Sequence, residues 1–300
     1  MKNKGLYYLL LAFLVVSCGP KKDVSKDSNN KAESVVEQEH VSVDTRQEEM
    51  LPDGKTSNGG EVPQAKYDIV PFEVNGVSFN MVKVKGGSFT MGATAEQGNE
   101  ASLEEKPAHH VSLNDFMIGQ TEVTQKLWVA VMGENPSKIK NDSLPVASVT
   151  WVNCLAFLRK LNALTGKKFR LPTEAEWEFA ARGGNLSKGY KYSGSDSLPE
   201  VAVCDQYASE LYHKVAGLKP NELGIYDMSG NVSEWCSDWF GAYEPDSQTS
   251  PAGPKTGEVR VTRGGGGTLT ATSFRVSARD GGAPERWFYH VGLRLVAPVD

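Results

Sequence analysis

Arg170-Leu171-Pro172-Thr173-Glu174-Ala175-Glu176-Trp177-Glu178 is the stretch from which the rest of the chain is most readily read. Thr173 and Glu176 stand three apart, the spacing at which a threonine hydroxyl and a glutamate carboxylate satisfy each other's free backbone N–H at a helix start. A short helix therefore begins after Thr173, turns Trp177, Ala180 and Ala181 toward a core, and ends at Gly183-Gly184. Upstream, Thr150 is placed to cap a longer helix with the apolar face Cys154, Leu155, Leu158 and Leu161. Before it, Val123, Leu127, Trp128 and Val131 recur at helical spacing until Gly133. Phe79-Asn80-Met81-Val82-Lys83-Val84 alternates and stops at Gly86-Gly87, as a strand and tight turn would, and Phe116-Met117-Ile118-Gly119 reads as another short strand. After Gly184 the chain is rich in Gly, Pro and Ser. There Phe274-Arg275-Val276-Ser277-Ala278 and Val291-Gly292-Leu293-Arg294-Leu295-Val296 alternate apolar residues with Arg or Ser, a strand period. The fold class is α+β with limited regular structure and no internal repeat.

Composition bounds the function classes. With 39% hydrophobic and 23% charged residues in 300, the chain is neither disordered throughout nor a polytopic membrane protein. A net charge of -5 provides no electrostatic footprint for nucleic acid. Lys2 and Lys4 precede an apolar run from Leu6 to Val16, too short for the roughly 20 residues that span a bilayer, and Ser17-Cys18 follows. Basic head, short apolar middle and small-residue exit form a signal-peptide pattern over residues 1–17. Leu14-Val15-Val16-Ser17-Cys18 resembles a bacterial lipobox, which implies lipidation of Cys18; a plain secretory signal with a chance cysteine is the competing reading. Residues 19–66 contain no aromatic, ten acidic and seven basic side chains, and too few apolar ones to offset ordering entropy. Residues 18–66 are expected to be a lipidated cysteine and a flexible stalk with a reach on the order of 40 Å, which leaves residues 67–300 as one domain. The expected location is the bacterial cell envelope, lipid-anchored, most simply at the outer membrane.

Several motifs occur in one order: Arg170-Leu171-Pro172-Thr173-Glu174-Ala175-Glu176-Trp177-Glu178, Gly224-Ile225-Tyr226-Asp227-Met228-Ser229-Gly230-Asn231-Val232, Glu234-Trp235, Arg263-Gly264-Gly265 and Gly292-Leu293-Arg294-Leu295. Together they resemble the sulfatase-modifying-factor family, also called formylglycine-generating-enzyme-like. The resemblance implies a modified C-type-lectin-like fold with a ligand-presenting surface near the C-terminus. It also implies a calcium site at Asp227, Gly230, Val232 and Glu234, with two carboxylates and two main-chain carbonyls as hard oxygen donors. A further family calcium site, around Val203 to Gln206, has no ligands that the sequence places.

The catalytic members of that family use two cysteines, with four residues between them, just after the Gly-Gly pair, to bind copper(I) and activate oxygen. Here the matching stretch from Gly264 to Phe274 offers Gly, Thr, Leu, Ala and Ser, and no cysteine follows Cys236. Copper chemistry of that kind has no soft ligands, so no copper and no catalytic residue is expected. Cys154 lies on a predicted apolar helix face; Cys236 reads as free and buried, or alternatively as bridged to Cys204. The five histidines show no metal-binding spacing.

Trp287-Phe288-Tyr289-His290 follows Gly281-Gly282 and Pro284 and reads as a surface for a protein or glycan ligand, since rigid aromatics give contact area at low entropy cost. Alternation before Val291 would instead bury two of the four. Three functions compete: a tethered binding or scaffolding module, an enzyme with unrecognised chemistry, and a surface receptor diversified by a retroelement.

Overall fold

The first two strands, β1 (Ile69–Val74) and β2 (Val77–Val84), are joined by Asn75-Gly76, whose φ angles of 49° and 75° both lie in the left-handed region. A two-residue type I′ turn demands two such residues, and Asn-Gly supplies them at least steric cost. The structure, a computed structural model, describes residues 67–203, 212–266 and 270–299, all within one compact unit, Glu61–Asp300. The expected signal peptide, Cys18, the stalk and Cys204 lie outside the described residues.

In chain order there follow β3 (Ser88–Met91), β4 (His109–Ser112), β5 (Phe116–Gly119), α1 (Gln125–Met132), α2 (Trp151–Thr165), α3 (Glu174–Ala181) and the single turn α4 (Leu198–Val201). Then come β6 (Ser233–Trp239), β7 (Gln248–Thr249), β8 (Arg260–Arg263), β9 (Arg279–Gly282), β10 (Val291–Gly292) and β11 (Val296–Pro298). One sheet runs β1-β2-β5-β11, a second β10-β6-β8-β9, and a third β3-β4-β7. The pairings within the first sheet are antiparallel; β10 on β6 and β4 on β7 are parallel.

The helix starts are those the sequence dictates. Thr124, Thr150 and Thr173 each accept a hydrogen bond from the backbone N–H three residues on. At Thr173 the reciprocal Glu176 bond completes the capping box, and Asn153 does the same for Thr150. Gly133 and Gly166 close α1 and α2 in the left-handed conformation. Trp128 of α1 stacks on Phe157 of α2 at 4.8 Å with ring planes 3° apart, which joins both helices over the first sheet. All eight residues of α3 are buried, so this helix is a core element and the three residues expected to face inward are part of a larger buried surface.

The alternating stretches near the C-terminus fold differently from expectation. Ala271–Phe274 is a 3-10 turn, and residues 274–278 form no strand, yet all five are buried. Strand pairing at residues 291–298 is confined to β10 and β11, and every residue from 291 to 297 is buried. The polar members of each alternation do not face water. Arg275, Ser277 and Arg294 enter an interior layer of carboxylates, where their hydrogen bonds replace those of solvent.

Candidate functional site

Gly264 and Gly265 leave β8 with φ angles of 91° and 66°. A Cβ on Gly265 would come within 2.6 Å of the Ser273 carbonyl oxygen and the Phe274 ring, so side chains are excluded there by both conformation and space. The close passage opens a cavity of about 200 Å³ whose wall includes Ser233, Thr262, Arg263, Thr272, Ser273 and Arg275. This is the place where the family's cysteine pair is expected.

Beneath it lies a layer of matched charges. Arg275 holds Glu105 through both nitrogens, at 2.7 and 2.6 Å. Burial opposes the Glu105 charge, but bonds from Arg275, Ser277 and the Ser102 backbone win and hold its carboxyl down at about 2. Arg263 donates to Glu178 and to the carbonyls of Ser277 and Ala278 at 2.8 and 2.7 Å. Arg182 also reaches Glu178, at 2.8 Å, and Arg279 clamps Glu174 at 2.8 and 2.7 Å. Arg263 and Arg275 each keep a buried Nε–H without an acceptor. The described walls therefore offer hydroxyls, spare guanidinium donors and the carboxylates of Glu100, Glu105 and Asp280, and no thiol or histidine. Such a cavity can orient a polar ligand.

The expected calcium residues lie on the adjoining turn. Asp227 and Asn231 adopt left-handed φ angles of 60° and 57°, which short polar side chains tolerate, and Gly230 takes 92°. The Asp227 Oδ2 atom accepts from the Ala216 N–H at 2.7 Å, whereas Oδ1 is buried and unpartnered. Neither the Gly230 nor the Val232 carbonyl accepts a hydrogen bond among the described residues. Glu234 is engaged elsewhere: Arg294 donates to both its oxygens at 2.6–3.0 Å, and the Trp177 indole N–H donates to Oε2 at 2.7 Å. Two further open oxygens belong to Glu122, which is 2% exposed and has no hydrogen bond to either. Desolvation, then the charges of Asp227 and Glu234, push its carboxyl well up. Among the described residues no three His, Cys, Asp or Glu side chains group for a metal, so a cation here would depend on main-chain carbonyls too. Buried, unpartnered oxygens of this hard donor type fit calcium. Sequence reasoning does not find Glu122; the signal available was an acidic residue just before an apolar helix that needs no cap from it.

The aromatic segment divides. Trp287 is 58% and Tyr289 38% exposed, while Phe288 packs partly buried against Trp235 with ring centroids 6.4 Å apart. His290 is half-buried, and its carbonyl accepts from Ser233 N–H. The outward surface thus consists of Trp287 and Tyr289, while Phe288 anchors the loop. Cys154 and Cys236 are free, fully buried thiols, and burial pushes both up, away from thiolate reactivity.

Comparison with known proteins identifies this architecture. The sulfatase-modifying factor enzyme 1-like domain matches residues 66–299. "Chaperone protein LppX" of Paenibacillus barcinonensis is 32% identical over 67% of this chain and 83% of its own length. The formylglycine-generating enzyme of Streptomyces coelicolor is 30% identical over 73% of this chain and 89% of its own. Among solved structures, Treponema denticola variable protein 1 superposes with a TM-score of 0.71 at 30% identity, covering 77% of this chain and 99% of that one. The chain belongs to the sulfatase-modifying factor, or formylglycine-generating-enzyme-like, family and has its α+β fold.

Proposed function

We propose that this chain is a lipoprotein of the bacterial cell envelope, anchored through Cys18, whose family domain binds a protein or glycan and performs no copper-dependent oxidation. One observation carries the reading: the segment that would supply the cysteine pair has none, and the cavity beside Gly264-Gly265 is walled by arginines, hydroxyls and carboxylates, with no thiol among its described residues. Hydroxyls are hard, weakly acidic and poor ligands for copper(I). The buried Cys154 and Cys236 do not line that cavity. Relatives named as a chaperone and as a variable protein support a use of the fold other than oxidation.

Calcium, in this reading, is held by the carbonyls of Gly230 and Val232 and the open oxygens of Asp227 and Glu122, with Glu234 behind them on Arg294. Bound calcium would supply charge neutralisation for a buried acidic turn that otherwise exceeds its single arginine. The ligand surface is the exposed pair Trp287 and Tyr289, continued by the cavity rim. Similarity to a variable protein also favours a second reading, in which this rim is the part that changes between copies to suit different ligands.

Two experiments test the proposal. Cys18→Ser should move the protein from the membrane to the soluble envelope fraction; membrane retention would remove the anchor. Trp287→Ala/Tyr289→Ala should lose a partner captured by wild-type protein from envelope extract, and equal capture would discard that surface.

A further inference from the structure

A second cavity, of about 430 Å³, lies between the start of α3 and the loop that follows β6; its wall includes His109, Asp238, Trp239, Tyr243 and Glu244. We infer that it is a separate ligand site that takes a primary ammonium group on a short apolar stem, as on a lysine side chain.

The inference rests on which polar atoms are open. Glu174 and Arg279 also line the cavity but are used up on each other, with the Tyr243 hydroxyl added to Glu174 at 3.2 Å. His109, 5% exposed, bonds through Nδ1 to the Pro107 carbonyl at 3.1 Å. A carbonyl can only accept, so Nδ1 carries the hydrogen, and in the neutral ring Nε2 presents a lone pair. No described group donates to it. Asp238, 4% exposed, accepts at Oδ2 from Glu174 N–H at 3.0 Å and from the Ser237 hydroxyl at 2.9 Å, while Oδ1 accepts from nothing among the described residues. Glu244 on the rim makes no ion pair among the described residues. The open ionisable functions are thus all acceptors, two of them acidic, beside the Trp239 indole N–H and the Gln248 amide, and the acidic excess favours a cationic donor.

Charge decides which donor. Arg260 lies near Asp238 but donates to the Ser237 carbonyl at 2.6 Å, leaving Asp238 without a paired cation. A buried carboxyl in that position is relieved by a positive charge that brings its own hydrogens, and an ammonium has three. The alternative, a sugar stacked on aromatic rings, is disfavoured because those faces are occupied. Arg279 lies 4.0 Å over Tyr243, His109 packs on Tyr243 at 4.8 Å, and Arg260 lies 3.4 Å over Trp239. Met91, Ala175 and Pro254 leave apolar wall for a stem. The volume falls within the usual small-ligand range of roughly 300–1,000 Å³.

The test uses the full-length protein and two probes, Nα-acetyl-lysine-N-methylamide and its norleucine isostere, by ligand-observed NMR titration. n-Butylamine as a third probe separates a free amine from a lysine presented on a peptide backbone. The lysine amide should bind at least about tenfold more tightly than the norleucine compound, because only the ammonium brings charge-assisted hydrogen bonds to the open carboxylates. Glu244→Gln, an exposed change that leaves the fold alone, should weaken lysine binding severalfold, and Asp238→Asn should abolish it. Equal binding of the two amides, no binding of the lysine amide, or unchanged affinity in Glu244→Gln would each overturn the inference, whether or not Asp238→Asn folds.

Discussion

Arg294 grips Glu234 inside the core: Nε lies 3.0 and 2.9 Å from the two carboxylate oxygens and Nη2 lies 2.6 Å from Oε1, with both residues 0% exposed. The same guanidinium donates to the carbonyls of Gly119 and Tyr226 at 2.9 Å, so one side chain ties β5, the acidic turn and β6 together. Removing it strands a buried carboxylate. Arg294→Met is expected to cost about 3–5 kcal/mol, the range for breaking a buried pair from one side. Urea denaturation measures this, and a loss below ~1 kcal/mol would show that the pair is not what holds these elements.

Glu122 and Asp227 give a linked expectation. Calcium should raise the melting temperature of wild-type protein above that in chelator, and Asp227→Ala should remove the rise. Glu122→Gln should melt higher than wild type in chelator, because an unpaired buried carboxyl is gone, yet gain less from calcium. Identical wild-type melting with calcium and with chelator would end the calcium proposal.

The pH dependence without calcium has a definite sign. Burial, then the charge of Glu174, raise the Asp238 carboxyl to about 7. The folded state therefore holds that proton longer than the unfolded chain does, and stability falls as pH rises from ~4 to about 7. Glu122 acts in the same direction. Glu105 acts oppositely: held at about 2, it contributes stability above ~4 that is lost as pH falls toward 2. In chelator, stability should peak in mildly acid buffer and decline toward pH 8, and Asp238→Asn should flatten the decline. A wild-type curve that climbs from pH 5 to 8 would refute this.

The two described thiols should be silent in the folded state. In a Cys18→Ser/Cys204→Ser background, a thiol reagent should label neither Cys154 nor Cys236 until denaturant is added, and then both. Rapid labelling of either in native buffer would reveal an accessible thiolate.

Local signals in the sequence carried well into the structure. Thr150 and Thr173 begin helices because capping is decided within four residues, and Gly133 ends α1 for the same reason. Pairings between distant residues were invisible. Arg275 and Glu105 stand 170 positions apart, Arg263 and Glu178 85, and nothing local announces either. Their burial also explains why the Arg and Ser alternation at residues 274–278 resembles a half-exposed strand while forming the floor of a cavity. At the candidate site, the turn holding Asp227, Gly230 and Val232 was legible. Glu122 was not, because its neighbours in space come from another part of the chain. Half of the aromatic surface was legible: Trp287 and Tyr289 face outward, whereas Phe288 is drawn inward by Trp235.

The most direct measurement is mass spectrometry of a cysteine-containing sulfatase peptide after incubation with the full-length protein, copper(I) and oxygen. The Streptomyces coelicolor enzyme serves as the positive control. The cysteine should remain unconverted with this protein while the control forms the aldehyde. Aldehyde formation by this protein above a no-enzyme blank would contradict the proposal that it is a non-catalytic binding module.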